Sequence, residues 1–142
     1  MPDFEFSTHI DAPIERAWSV VSDIGGWPEL TPSIDSVESL DTDSVLVGNR
    51  FSIKQPKLRQ AVWTVTEIRE GHSFTWESKS GGITTRGVHA LTEENGGVKL
   101  TLSVHQSGVL AGIVGVLAGS TTRRYLSLEG NGIKKHSEQA AS

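Results

Sequence analysis

Apolar and polar residues alternate from the start of the chain. Phe4, Phe6, Thr8 and Ile10 alternate with Glu5, Ser7 and His9, the two-residue period of a half-buried strand. Asp11-Ala12-Pro13 follows, and proline suits a first helical turn because its missing N–H is not needed there. Ile14, Trp18 and Val21 then recur at spacings of four and three, which predicts a short helix with Trp18 buried under a sheet. Gly25-Gly26-Trp27-Pro28 ends it. A second helical turn is expected from Pro28 to about Thr31, limited by Pro32, since the residue before a proline disfavours the helical region.

From Ile34 the pattern is strand after strand, over about 36–40, 49–55, 61–69, 73–79, 84–93 and 98–106. The separators carry turn chemistry, among them Asp41-Thr42-Asp43, Glu70-Gly71, Gly81-Gly82 and Asn95-Gly96-Gly97. Connections this short join antiparallel neighbours, because a parallel crossover needs a dozen or more residues. The period then changes. Leu110, Val114, Leu117, Thr121, Tyr125 and Leu128 recur every three to four residues and predict a long helix over about 109–136. Gly112, Gly115, Gly119, Gly130 and Gly132 each weaken it by about 1 kcal/mol relative to alanine, leaving its continuity open. The expected fold class is α+β, in one domain over residues 1–142. A curved seven-stranded antiparallel sheet grips the C-terminal helix, two short helices lie between strands one and two, and strand one joins the sheet edge. One helix cannot fill so wide a concave face, so a cavity is expected.

Alternation also assigns the inner faces. Val98, Leu100, Leu102, Val104 and Gln106 share one, as do Phe51, Ile53 and Gln55. Phe74, Trp76 and Ser78 point inward, and so do Thr85, Gly87, His89 and Leu91, leaving Arg86 outside. In 61–69 both phases stay open, Trp63 and Val65 competing with Val62, Thr64 and Ile68. Apolar walls with a few polar groups, here Gln55, Thr85, His89, Gln106 and Thr121, describe a small-molecule pocket. Its candidate ligand-binding residues are Trp27, Phe51, Ile53, Gln55, Phe74 and Trp76, then Gly87, His89, Leu102, Val104 and Gln106, and Leu117 and Thr121 from the helix. Trp27 reads as a core anchor or as part of a lid. Gly87 lacks a side chain, so a ligand or the helix can approach the sheet there. His89 is the one inner titratable group and the best candidate proton carrier. Glu67, Glu77 and Glu93 alternate outward or sit near strand ends, so no acid–base pair is visible.

Composition excludes several chemistries. Cysteine is absent, which removes disulfides, thiolate nucleophiles and Cys-ligated metals, and fits a reducing, cytoplasmic compartment. The net charge is −4 and no Lys/Arg stripe exists, which argues against nucleic-acid binding. The N-terminus lacks the basic and apolar regions of a signal peptide. The longest apolar stretch, 109–119, is too short to span a membrane. His9, His72, His89, His105 and His136 are scattered singly, so no metal site is expected. No Gly-x-Ser-x-Gly pattern occurs. Nothing in the sequence sets an oligomeric state.

Several segments together resemble the START/Bet v1-like (SRPBCC) superfamily, in particular its small bacterial branch of polyketide cyclase/dehydrase and lipid transport proteins. They are Ile10-Asp11-Ala12-Pro13-Ile14-Glu15-Arg16-Ala17-Trp18, Asp23 and Trp27-Pro28, and Ala61-Val62-Trp63-Thr64-Val65-Thr66-Glu67. With them go Ser73-Phe74-Thr75-Trp76-Glu77, Gly87-Val88-His89 and Arg123-Arg124-Tyr125-Leu126-Ser127-Leu128-Glu129-Gly130. The resemblance implies a helix-grip fold with a hydrophobic cavity between sheet and C-terminal helix; separately, no cofactor is expected. Three functions follow as expectations. The first is a non-catalytic binder of a hydrophobic or aromatic small molecule, motivated by the lack of a paired acid and base. The second is an aromatase/cyclase-like enzyme using His89 as proton carrier. The third is a protein that modulates a partner through the helix or outer sheet.

Overall fold

The computed structural model describes residues 3–56, 58–80, 82–108 and 111–139, with the backbone alone over 111–120. The chain runs through β1 (Asp3–Ile10), α1 (Ile14–Val21), a 3-10 turn (Ile24–Gly26) and α2 (Trp27–Leu30). It continues through β2 (Ser36–Ser39), β3 (Arg50–Lys54), β4 (Ala61–Arg69) and β5 (Ser73–Ser80). The last elements are β6 (Ile83–Glu94), β7 (Gly97–Gly108) and α3 (Ala111–Gln139). All seven strands form one antiparallel sheet in the order β1-β7-β6-β5-β4-β3-β2. β1 joins at the edge beside β7, with Phe4 opposite Val104 and Ile10 opposite Val98. The β6–β7 turn shows how local chemistry sets the meander. Glu94 pairs with Gly97, so the loop is Asn95-Gly96, both at positive φ (46° and 80°). A two-residue hairpin turn of matching twist requires that conformation, and Asn-Gly adopts it readily.

β4 resolves the phase that alternation left open. Val65 faces Trp76 and Ile68 faces Phe74, with a bulge between Val65 and Glu67. One extra residue flips the side-chain phase. Trp63 and Val65 therefore face inward before the bulge, and Ile68 does so after it.

The faces of two helices differ from expectation. In α1 the buried residues are Ala17, Val20 and Val21, while Ile14 and Trp18 are half-buried. Small Ala17 faces inward and lets the helix lie close. The Trp18 indole is left at its margin, edge-on to Phe74 at 6.5 Å. In α3 the fully packed stripe is Leu126, Gly130, Ile133 and Ser137, and Leu128 is half-buried. The expected contributions of Leu110, Val114 and Leu117 lie outside the described side chains. The helix runs unbroken through Gly130 and Gly132. These glycines permit close approach: a Cβ at Gly130 would run into the Phe6 ring, and one at Gly132 into the Leu30 carbonyl. α3 accordingly packs on β1 and β7, with α1 and α2 beside it. The rest of the concave face is spanned by a cavity.

Candidate functional site

The cavity between the sheet and α3 has a volume of about 560 Å³. β3 and the residue after it contribute Ile53 and Gln55, and β5 contributes Trp76. Gly87 and His89 line it from β6, and Leu102, Val104 and Gln106 from β7. α2 places Trp27 on the wall and α3 places Thr121 there. Leu117 lies outside the described side chains. Phe51 and Phe74, read from alternation as pocket residues, are instead packed in the core at 1% and 0% exposure. They share the inner face, but neighbouring rings pack against them. Phe51 lies 6.2 Å from Trp76, and Phe74 stacks on His89 at 4.4 Å with the rings 6° apart.

Gly87 lines the cavity and also makes room for a neighbouring ring. It pairs with Trp76 across the strands, and a Cβ there would stand 2.9 Å from the Trp76 Nε1. The missing side chain makes room for the indole of Trp76, an aromatic covering a strand glycine. Trp27 is 1% exposed and both anchors and walls the site. Its ring centroid lies 5.5 Å from Trp76 and 5.2 Å from His89. Trp63 adds a third indole, 5.3 Å from that of Trp76.

The sequence reading missed Glu129. From α3 its Oε1 meets His89 Nε2 at 3.0 Å, and the two side chains are 6% (His89) and 12% (Glu129) exposed. A paired histidine and carboxylate is therefore present, contrary to the expectation of none. That expectation weighed only strand glutamates. Glu129 lies four residues after Tyr125 and eight after Thr121, on one helical face with both, and that spacing was the available signal. With Glu129 ionised, Nε2–H donates to it and the lone pair falls on Nδ1. Nδ1 is buried without a partner among the described residues, as are Trp27 Nε1 and Gln106 Oε1. Tyr125 Oη donates to the Pro56 carbonyl and ties α3 to the β3–β4 loop at the mouth. There Leu58 and Val62 are 40% and 45% exposed, with Arg59 and Lys79 on the rim. Among the described residues no three His, Asp or Glu side chains group as metal ligands. None of the described helices is long and apolar enough to cross a membrane.

Over residues 1–138 the sequence matches the family described as polyketide cyclase / dehydrase and lipid transport. The chain belongs to that family. Its helix-grip architecture is shared with solved structures of low sequence identity. The Thermus thermophilus protein TTHA0849 superposes with a TM-score of 0.77 at 16% identity, covering 99% of this chain and all of that one. The point mutant of Thalictrum flavum norcoclaurine synthase, solved with a transition-state analogue, gives 0.77 at 14%, covering 99% and 96%. The di-domain ARO/CYC StfQ of the steffimycin biosynthetic pathway gives 0.72 at 15%. That match covers 99% of this chain and 50% of StfQ, so the chain spans about half of that protein. At these identities the likeness carries the fold. No curated protein matches the sequence. Members of a fold this versatile differ in their sites, so the family's range of roles is narrowed here by the cavity itself.

Proposed function

We propose that this chain binds a hydrophobic or aromatic small molecule in the cavity between its sheet and α3, as one ligand-binding domain over residues 1–142 acting in the cytoplasm. The cavity of about 560 Å³, walled by Trp27, Trp63, Trp76, Leu102 and Val104, carries the reading. Concave, largely apolar sites of this size with a few convergent polar groups are what small ligands occupy. The family's description, which includes lipid transport, supports the same ligand class, and the absence of cysteine fits the compartment. The test is binding of 1-anilinonaphthalene-8-sulfonate to the native protein. Val104→Phe places a ring on the cavity wall and is expected to weaken the probe by about tenfold while changing stability by less than about 1.5 kcal/mol. Unchanged probe affinity in a folded Val104→Phe variant refutes the reading.

The His89–Glu129 pair favours a second reading, an enzyme of the cyclase kind. A carboxylate that fixes the tautomer of an imidazole is a recurring arrangement for moving a proton. Similarity to StfQ, an ARO/CYC, supports that reading by fold alone. Product formation from polyketone compounds that falls by about 10²–10⁴ in His89→Gln separates it from simple binding.

A further inference from the structure

The walls around Trp27, Trp63 and Trp76 are aromatic, and a carboxylate is set among them. Glu129 holds one bond, from His89 Nε2 to Oε1. Among the described residues no Lys, Arg or further donor reaches it. A carboxylate offers about four acceptor positions, so one donor leaves most of them open. The His89 ring cannot swing to supply another donor, because it is stacked on Phe74 at 4.4 Å and stands edge-on to Trp76 at 5.5 Å. His89 Nδ1 is shut in by that packing, whereas Glu129 keeps part of its side chain open on the cavity wall. The accessible polar atom of the pair is thus an acceptor.

We infer that the cavity selects a flat apolar ligand bearing a phenol- or enol-type hydroxyl, which donates its hydrogen bond to the free oxygen of Glu129. The inference rests on the binding reading above and deepens it. Charge narrows the class of ligand. Arg59 and Lys79 at the mouth oppose an entering cation. Glu129 opposes an anionic head at the wall. A neutral hydroxyl satisfies the carboxylate without either penalty, and a hydrogen bond to a charged acceptor is stronger than one between neutral groups.

The test compares 2-naphthol with 2-methoxynaphthalene, which has the same rings and no donor, by calorimetry or quenching of tryptophan fluorescence. The expected result is that wild type binds both and holds 2-naphthol at least about tenfold more tightly. Glu129→Leu should abolish that preference, read as the ratio of the two affinities within the variant. Glu129→Gln keeps the side-chain shape and a weaker neutral acceptor, so the preference should shrink without vanishing; it serves where the leucine variant does not fold. Equal affinity of wild type for the two compounds overturns the inference while leaving the binding reading intact. A preference undiminished in Glu129→Leu or Glu129→Gln also overturns it. Failure of both compounds to bind wild type overturns the binding reading, and the inference with it.

Discussion

Trp27 and Trp18 stand on successive short helices; the sequence reads Trp18 as buried and Trp27 as a core anchor or part of a lid. The structure buries Trp27 fully and Trp18 only in part. Trp27 is 1% exposed and touches the rings of Phe74, Trp76 and His89 at centroid distances of 6.3, 5.5 and 5.2 Å. A buried tryptophan removes about 150–250 Å² from water, worth about 4–6 kcal/mol at about 25 cal/mol per Å². Alanine keeps a little of that, so Trp27→Ala should cost about 3–5 kcal/mol, the range seen for aromatic-to-alanine changes in cores. Trp18 is half-buried and meets Phe74 edge-on. Its truncation should cost about half as much, roughly 2 kcal/mol. Urea unfolding at neutral pH reads both. With a slope of about 2 kcal/mol per molar, the midpoint should fall by about 1.5–2.5 M for Trp27→Ala and about 1 M for Trp18→Ala. An equal or larger loss for Trp18→Ala would refute the argument that α1 turns Ala17, Val20 and Val21 inward.

Two further outcomes follow from local geometry. Gly132→Ala should lower stability by about 1 kcal/mol or more despite alanine's better helix propensity, because the new Cβ meets the Leu30 backbone, which cannot rotate away; a higher urea midpoint would show that α2 yields. Glu138 accepts hydrogen bonds from Lys134 at 2.8 Å and from the Asp11 backbone N–H at 2.7 Å, and these hold its carboxyl below the ordinary 4.5. A depressed folded-state pKa contributes stability that is present above the unfolded value and lost as pH falls through the folded one. Glu138→Gln should therefore lower the urea midpoint at pH 7 and flatten its fall below about pH 4.5. An identical acid profile for wild type and variant removes Glu138 from that account.

Much of the site was legible because side-chain alternation is a property of the backbone itself. In β5, β6 and β7 the inward residues follow from the two-residue period, and the cavity takes Trp76, His89, Leu102, Val104 and Gln106 from those faces. The antiparallel order β2 to β7 follows as directly from short turns such as Asn95-Gly96. A single face does not tell a wall residue from a core residue, however. Phe51 and Phe74 lie on the same faces as Ile53 and Trp76, and only the packing of Trp76 and His89 over them sends them into the core. The phase of β4 depends on a bulge, which inserts one residue without any mark in the hydrophobic pattern.

By itself, then, the sequence determined the elements, their order, the class of fold and an apolar interior, since each depends on periods of two or 3.6 residues repeated along the chain. Tertiary structure decided which residues meet. Glu129 reaches His89 across 40 residues because Gly130 and Gly132 let α3 settle against Phe6 and Leu30, which sets the helix's rotation and depth. The sequence left Gly87 open to a ligand or the helix, and the cross-strand register set Trp76 beside it. Pairings of this kind arise where elements distant in sequence come within a few ångströms, and periodicity within one element holds no record of the surface packed against it.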